Sequence, residues 1–211
     1  MSDTGYGDFE FERKFFVRSL PDVVLSEPDP VLIVQSYYLA AEGYALRVRL
    51  QAEGTAPATV RGDDVESLLE GVDFTFCALT VKGPEVSGTR YEAERELDVS
   101  VGRQMVRLGG ERMVKHRYSV WLGTDGWVVD EFLGENAPLI VAECERGGPV
   151  TDLVIPDFCV TEVTTDPRFT NDALAVRPYA GWGREYEQEL AVQGPRFLQE
   201  FGRNELGSSP H

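Results

Sequence analysis

The chain has 211 residues, 42% of them hydrophobic and 27% charged, which is the composition of an ordinary globular protein with enough apolar side chains for a substantial core. Its formal charge of −16 repels DNA, RNA and anionic lipid, partners that are held by basic patches, so a phosphate ligand needs a sheltered basic site. No apolar run approaches the roughly 20 residues of a membrane span, and the opening Met1–Asp8 has neither a basic start nor an apolar stretch; a soluble cytoplasmic protein with no nucleic-acid or membrane partner is expected.

Alternation with period 2, rich in β-branched and aromatic residues, dominates the chain and makes it mainly β, of α+β class. The first expected strand is Phe9–Val17. After the turn-rich Ser26-Glu27-Pro28-Asp29-Pro30 come Leu32–Ala40 and Tyr44–Gln51. The stretch 53–71 reads as an insertion with a short helix at Asp63–Leu69. Strands Asp73–Lys82 and Arg90–Val99 flank Lys82-Gly83-Pro84, and apolar spacing of three and four predicts a helix at Ser100–Leu108. Met113–Leu122 and Gly126–Leu133 follow, joined by a Gly-Thr-Asp-Gly turn, then Leu139–Arg146 and a last short helix around Asn171–Ala175. About eight strands suffice to close a modest barrel, with hairpin-linked antiparallel neighbours and the helices outside it. One domain over 1–182 is expected, with 183–211 a polar tail. Cys77, Cys144 and Cys159 are odd in number and irregular in spacing, which argues for reduced structural thiols.

The chemistry lies in where the charges fall, because residues i and i+2 of a strand share a face. Glu10 and Glu12 alternate with Phe11 and lead to Lys14, while Arg13 takes the opposite face. Arg47 and Arg49, Glu92 and Glu94, Lys115 and Arg117, and Glu143 and Glu145 repeat the device, and Lys82 and Asp130 add single charges. The solvated face of a half-buried strand is the commonest fate of any one such pair. For all of them together it weakens, since like charges on many strands of one sheet repel unless compensated. A polyanion with a divalent metal compensates both signs: Lys and Arg neutralise phosphate oxygens, and carboxylates hold hard Mg2+ or Mn2+. With only His116 and His211 present, a Ser-His-Asp relay or a multi-histidine metal site is nearly excluded, and no Walker-type glycine loop occurs. Trp121, Trp127 and Trp182 read as packing residues.

The segment Glu10-Phe11-Glu12-Arg13-Lys14 resembles the ExExK signature of the CYTH superfamily, the triphosphate tunnel metalloenzymes. Gln35-Ser36-Tyr37-Tyr38-Leu39, Arg47-Val48-Arg49, Thr80-Val81-Lys82-Gly83, Arg90–Glu96, Lys115-His116-Arg117-Tyr118, Trp127–Asn136, Ala142-Glu143-Cys144-Glu145 and Glu162–Asn171 continue the resemblance in order, the last three being similar to the short bacterial inorganic triphosphatases. It implies a closed eight-stranded antiparallel tunnel. Lys14, Arg47, Arg49, Lys82, Lys115 and Arg117 would bind phosphate. Glu10, Glu12, Glu92, Glu94, Glu143 and Glu145 would hold metal, with Asp130 a further candidate. A catalytic Lys–Tyr pair would be Lys14 with Tyr38, although Tyr37 precedes it where a small residue is usual. The implied activity is Mg2+- or Mn2+-dependent hydrolysis of a small-molecule triphosphate, inorganic triphosphate before others. The alternatives are a class IV-type adenylate cyclase and a non-catalytic polyphosphate or nucleotide binder; a homodimer is possible.

Overall fold

The computed structural model describes residues 9–26, 29–54, 64–86 and 89–207. Parts of the expected Ser26–Pro30 turn, of the 53–71 insertion and of the end of the tail lie outside them. Eight strands form the barrel: β1 (Phe9–Val17), β2 (Val31–Ala41), β3 (Tyr44–Ala52), β4 (Phe76–Val86), β5 (Thr89–Glu96), β6 (Glu111–Leu122), β7 (Asp125–Phe132) and β8 (Ile140–Arg146). They run antiparallel in the order β1-β5-β4-β3-β2-β6-β7-β8, and β8 returns to β1 along Phe11–Val17, so the sheet closes on itself. The other edge of β1 is shared. Phe9–Phe11 pair with β5, and Phe15–Val17 pair with β10 (Cys159–Glu162).

Short helices are α1 (Asp22–Leu25), α2 (Val65–Gly71), α3 (Val99–Leu108), α4 (Asn171–Val176) and α5 (Gly183–Gln193). The strand expected to run to Val99 stops at Glu96 because Asp98 caps α3, its carboxylate accepting from the amides of Ser100 and Val101. Glu42 and Gly43 both take positive φ, 52° and 81°, which matches the tight β2–β3 hairpin to the sheet's twist. A Cβ at Gly102 would lie 2.2 Å from Cys77 Sγ, so glycine there lets α3 sit directly on β4.

Apolar side chains fill three clusters. Outside the barrel, α2 and α3 cover Val34, Val48, Leu50 and Val114. On the opposite wall Phe11, Phe15, Trp127, Val129 and Cys144 pack under Val150, Leu153 and Ile155. The third cluster is inside. Phe16, Tyr37, Met113, Phe132 and Val141 point inward at one end and pack against Leu174, Ala175, Tyr179, Trp182, Tyr186 and Leu190 from α4, α5 and the turn between them. This stopper makes the barrel a cup, and it differs from the expectation that every helix packs outside. Only the tertiary fold reveals it, because α4 and α5 are far along the chain from the strands they close.

Residues 183–207 are likewise folded onto the barrel, where a polar tail was expected. Tyr186 and Leu190 are buried, Phe197 packs on the outer-wall cluster, and β11 (Glu205–Leu206) pairs in parallel with β9 (Val154–Ile155). Arg13 is the most consequential departure. It does face away from Lys14, yet its side chain is fully buried in a bidentate ion pair with Glu162. All three cysteines are free and buried. Among the described residues no helix is long and apolar enough to cross a membrane.

Candidate active site

Above the stopper the inward-facing residues turn polar and enclose a cavity of about 510 Å3. The i, i+2 rule places them: Glu10, Glu12 and Lys14 on β1, Arg47 and Arg49 on β3, Lys82 on β4, Glu92 and Glu94 on β5, Arg117 on β6, and Glu143 and Glu145 on β8. All eleven line one space, although their positions span more than 130 residues of sequence.

Acids and bases are interleaved across strands. Lys14 Nζ lies 2.8 Å from Glu12 and 3.2 Å from Glu143. Lys82 Nζ contacts Glu10 at 2.7 Å and Glu92 at 2.5 Å, and Arg47 reaches Glu92 at 3.4 Å. Arg49 donates to both oxygens of Glu94 at 2.9 Å, with Thr80 donating to one of them. Burial works against the Lys14 ammonium, but Glu12, Glu143 and Glu10 overcome it and hold the pKa well above the lysine range. Glu12 is pushed up by burial and by Glu143 and Glu10, despite Lys14. Among the described residues no cation forms an ion pair with Glu145; partial burial and the charges of Glu10, Glu12, Glu143 and Glu92 raise its pKa.

Three of the expected site residues stand elsewhere. Lys115 and Asp130 are off the cavity, almost completely buried, with Nζ and Oδ2 2.6 Å apart. Asp130 also accepts two bonds from Arg117 at 2.7 Å, and Lys115 donates to Asn171 of α4 at 3.1 Å. Burial opposes the charge of Asp130, yet Arg117 and Lys115 hold its pKa low. Sealed behind the cavity wall with both oxygens on cations, Asp130 braces the basic residues and does not reach the space where the other expected metal ligands meet. Tyr38 is exposed on the outside of the barrel. A register shift between Tyr37 and Leu39 makes Tyr38 the extra residue of a bulge, and Tyr37 lines the cavity instead. The Tyr37 hydroxyl donates to Gln35 at 3.1 Å, and burial raises its pKa against the pull of Arg47.

Gln35, Arg90, Asn171 and Asp172 complete the polar lining without having been assigned a role from sequence. Gln35 shares a face with Tyr37 by simple alternation, a signal that was present. Arg90 donates to the carbonyls of Gly83 and Gly43 and so ties two hairpins together at 2.7 and 3.0 Å. Asn171 and Asp172 arrive with α4, and no local pattern marks them.

The carboxylates supply only hard oxygen donors, the type that suits Mg2+ or Mn2+. Glu145 and Glu12, raised by burial and by neighbouring carboxylates, fit a place for a cation. As the side chains stand, no three of the described Asp, Glu, His or Cys residues form a ready ligand set, since most carboxylates are turned onto Lys or Arg.

No family model matches the chain. An inorganic triphosphatase of Acetivibrio thermocellus is 39% identical over 103 residues, which is 48% of this chain and 66% of that relative, just under two thirds of its length. The crystal structure of the inorganic triphosphatase NE1496 superimposes with a TM-score of 0.52 at 27% identity, covering 79% of this chain and 94% of that one. A second crystal structure, of the hypothetical protein NE1496, gives 0.50 at the same identity and covers 97% of that chain.

Proposed function

We infer that this chain, CYTH triphosphatase-like in sequence and in its eight-stranded barrel, hydrolyses a linear triphosphate in the charged cup with Mg2+ or Mn2+, inorganic triphosphate before others. The observation that carries this reading is the wall itself: six cations and seven carboxylates on one interior surface, most of them paired with one another. Such a surface has little use for a neutral ligand. Arg47 and Arg49 each keep a buried Nε–H without a hydrogen-bond partner among the described residues, donors that a phosphate oxygen would satisfy.

A triphosphate competes for Lys14, Lys82, Arg47, Arg49 and Arg117, and each cation it takes frees a carboxylate. Glu10, Glu12, Glu143 and Glu145, with Glu92 and Glu94 across the cup, are then the groups that would hold the metal. A divalent ion there supplies charge neutralisation at the phosphate oxygens and a bound water of lowered pKa. Lys14, held protonated by its acidic neighbours, serves as a donor and not as a base. Arg117, fixed by Asp130, presents its guanidinium with no freedom to lose. Water adds to the terminal phosphorus, the bridging P–O bond breaks, and orthophosphate and pyrophosphate leave.

The test is a panel of inorganic triphosphate, thiamine triphosphate and ATP, with phosphate, pyrophosphate and cyclic nucleotide all measured. Inorganic triphosphate should be split to phosphate and pyrophosphate, with activity lost in EDTA and restored by Mg2+ or Mn2+. Cyclic nucleotide from ATP would establish a cyclase instead, and full turnover in EDTA would end the reading.

A further inference from the structure

Behind Lys14, on the outer face of β1, lies a buried polar network that the proposed chemistry does not use. Arg13 Nε and an Nη donate to the two oxygens of Glu162 at 2.8 and 2.7 Å. Glu162 also accepts from Thr164 Oγ1 and from the amide of Leu198, both at 2.8 Å, so each of its oxygens carries two bonds. Thr164 Oγ1 in turn accepts from the Lys14 amide at 3.0 Å, and the Lys14 carbonyl accepts from Val163 at 2.8 Å. The remaining Arg13 nitrogen donates to Asn204 at 2.7 Å, and the guanidinium lies 5.0 Å from the ring centre of Phe201.

We propose that Arg13 and Glu162 are positioning residues that fix Lys14 from behind the barrel wall, with the C-terminal segment Leu198–Asn204 as the strap that completes the lock. The proposal rests on the triphosphatase reading of the cup. Its physical basis is the strand itself. Arg13 and Lys14 are adjacent, so the side chains point to opposite faces while sharing one backbone. Here β1 lies between its short pairing with β5 and its pairing with β10, and the Lys14 amide and carbonyl are held by Thr164 and Val163. Slack in the Arg13–Glu162 fork is therefore transmitted to Lys14 Nζ, which must keep its place between Glu12 and Glu143. A fully desolvated fork defines a single geometry, which a lysine at the same position cannot reproduce.

Removing the Arg13 side chain outright would leave Glu162 buried and unpaired, so full-length Arg13→Lys, Glu162→Gln and Asn204→Ala are the variants to compare. In each the folded protein is quantified first, and kcat and KM on inorganic triphosphate are then measured separately. Arg13→Lys and Glu162→Gln are expected to lose about 100-fold in kcat with a much smaller change in KM, as for a displaced reacting group. Asn204→Ala should shift kcat in the same direction by less. Arg18→Ala, which removes an exposed ion pair with Glu187 at the end of the same strand, should change nothing. Hydrogen–deuterium exchange of the Glu10–Lys14 peptide should quicken in Arg13→Lys while β3 and β4 keep their protection. Wild-type kcat in folded Arg13→Lys and Glu162→Gln, or unchanged exchange in β1, overturns the proposal. An inactive wild-type protein would instead remove the triphosphatase reading, and the exchange measurement would still decide whether the lock holds β1.

Discussion

Lys14 on β1 and Glu143 on β8 stand directly opposite one another across the seam that closes the barrel, with Nζ and Oε1 3.2 Å apart. Burial disfavours both charges, but each side holds the other ionised. Glu12 and Glu143 keep the lysine up, and Lys14, Arg117 and Lys115 keep Glu143 well below the usual carboxylate range. Closing the barrel and assembling the cup are thus one structural event, and the seam carries a group of each sign.

Lys14→Ala should lower kcat on inorganic triphosphate by about 100- to 1,000-fold, the loss typical of one charge contact made in the transition state. Arg18→Ala, just past the end of that strand, is the appropriate control, because Arg13, though it points away from the cup, is buried. Steady-state kinetics on folded protein decide it, and a Lys14→Ala variant with near-normal kcat would remove Lys14 from the site.

Tyr37→Phe and Tyr38→Phe separate two neighbours that sequence alone does not. Loss of the Tyr37 hydroxyl, which touches Gln35 beside Arg47, should reduce kcat/KM by about 10- to 100-fold if it hydrogen-bonds charged phosphate, whereas Tyr38→Phe should be silent. A larger loss for Tyr38→Phe would mean that the bulge is misplaced.

Asp130→Asn tests a brace against a ligand. It leaves Lys115 and Arg117 buried beside a neutral amide, a change that should cost about 3–5 kcal/mol in urea unfolding without metal. Because the folded-state pKa of Asp130 is depressed, its contribution is fully present above its ordinary value of 3.8 and is lost as pH falls through the folded value. The wild-type and Asp130→Asn stabilities should therefore converge in strong acid. Unchanged stability at pH 7 with impaired metal dependence would make Asp130 a metal ligand after all.

Glu145→Gln should do the opposite and raise the melting temperature of the metal-free protein at pH 7. The Glu145 pKa is raised above 4.5, so between 4.5 and the folded value the folded chain holds a proton that the unfolded chain has released. Stability accordingly falls as pH rises through that window, and the glutamine removes this penalty. Below about pH 4 both side chains are neutral and the difference should vanish. The stabilisation that Mg2+ or Mn2+ with inorganic triphosphate gives to the wild type should shrink in the variant. A destabilised Glu145→Gln protein at pH 7 would show that the carboxylate has a cationic partner.

Much of the architecture was legible because strands announce themselves locally. Phe9–Val17 begins and ends where alternation predicts, and the inward set on β1, β3, β5 and β8 follows from counting by two, since a strand's faces are fixed by its own backbone. Tyr38 follows from the family's order of residues, whereas alternation itself puts Tyr37 beside Gln35 on the inward face and Tyr38 on the outer one. Alternation could not distinguish depth. Lys115 and Arg117 share a face, yet Arg117 lines the cavity and Lys115 is sealed beneath it by Asn171. Burial of that kind depends on which distant segment covers a strand. The same holds for Arg13, read from sequence as simply facing away, and for 183–207, read as a tail: partners such as Glu162, Leu198 and Asn204 lie about 150 to 190 positions away from Arg13. Local alternation accounts for the strands, their faces and the sign of the charges on each. The tertiary structure decided which of those charges meet a ligand, which brace one another, and that α4 and α5 stop one end of the barrel, because each of these is settled by long-range packing that no local period encodes.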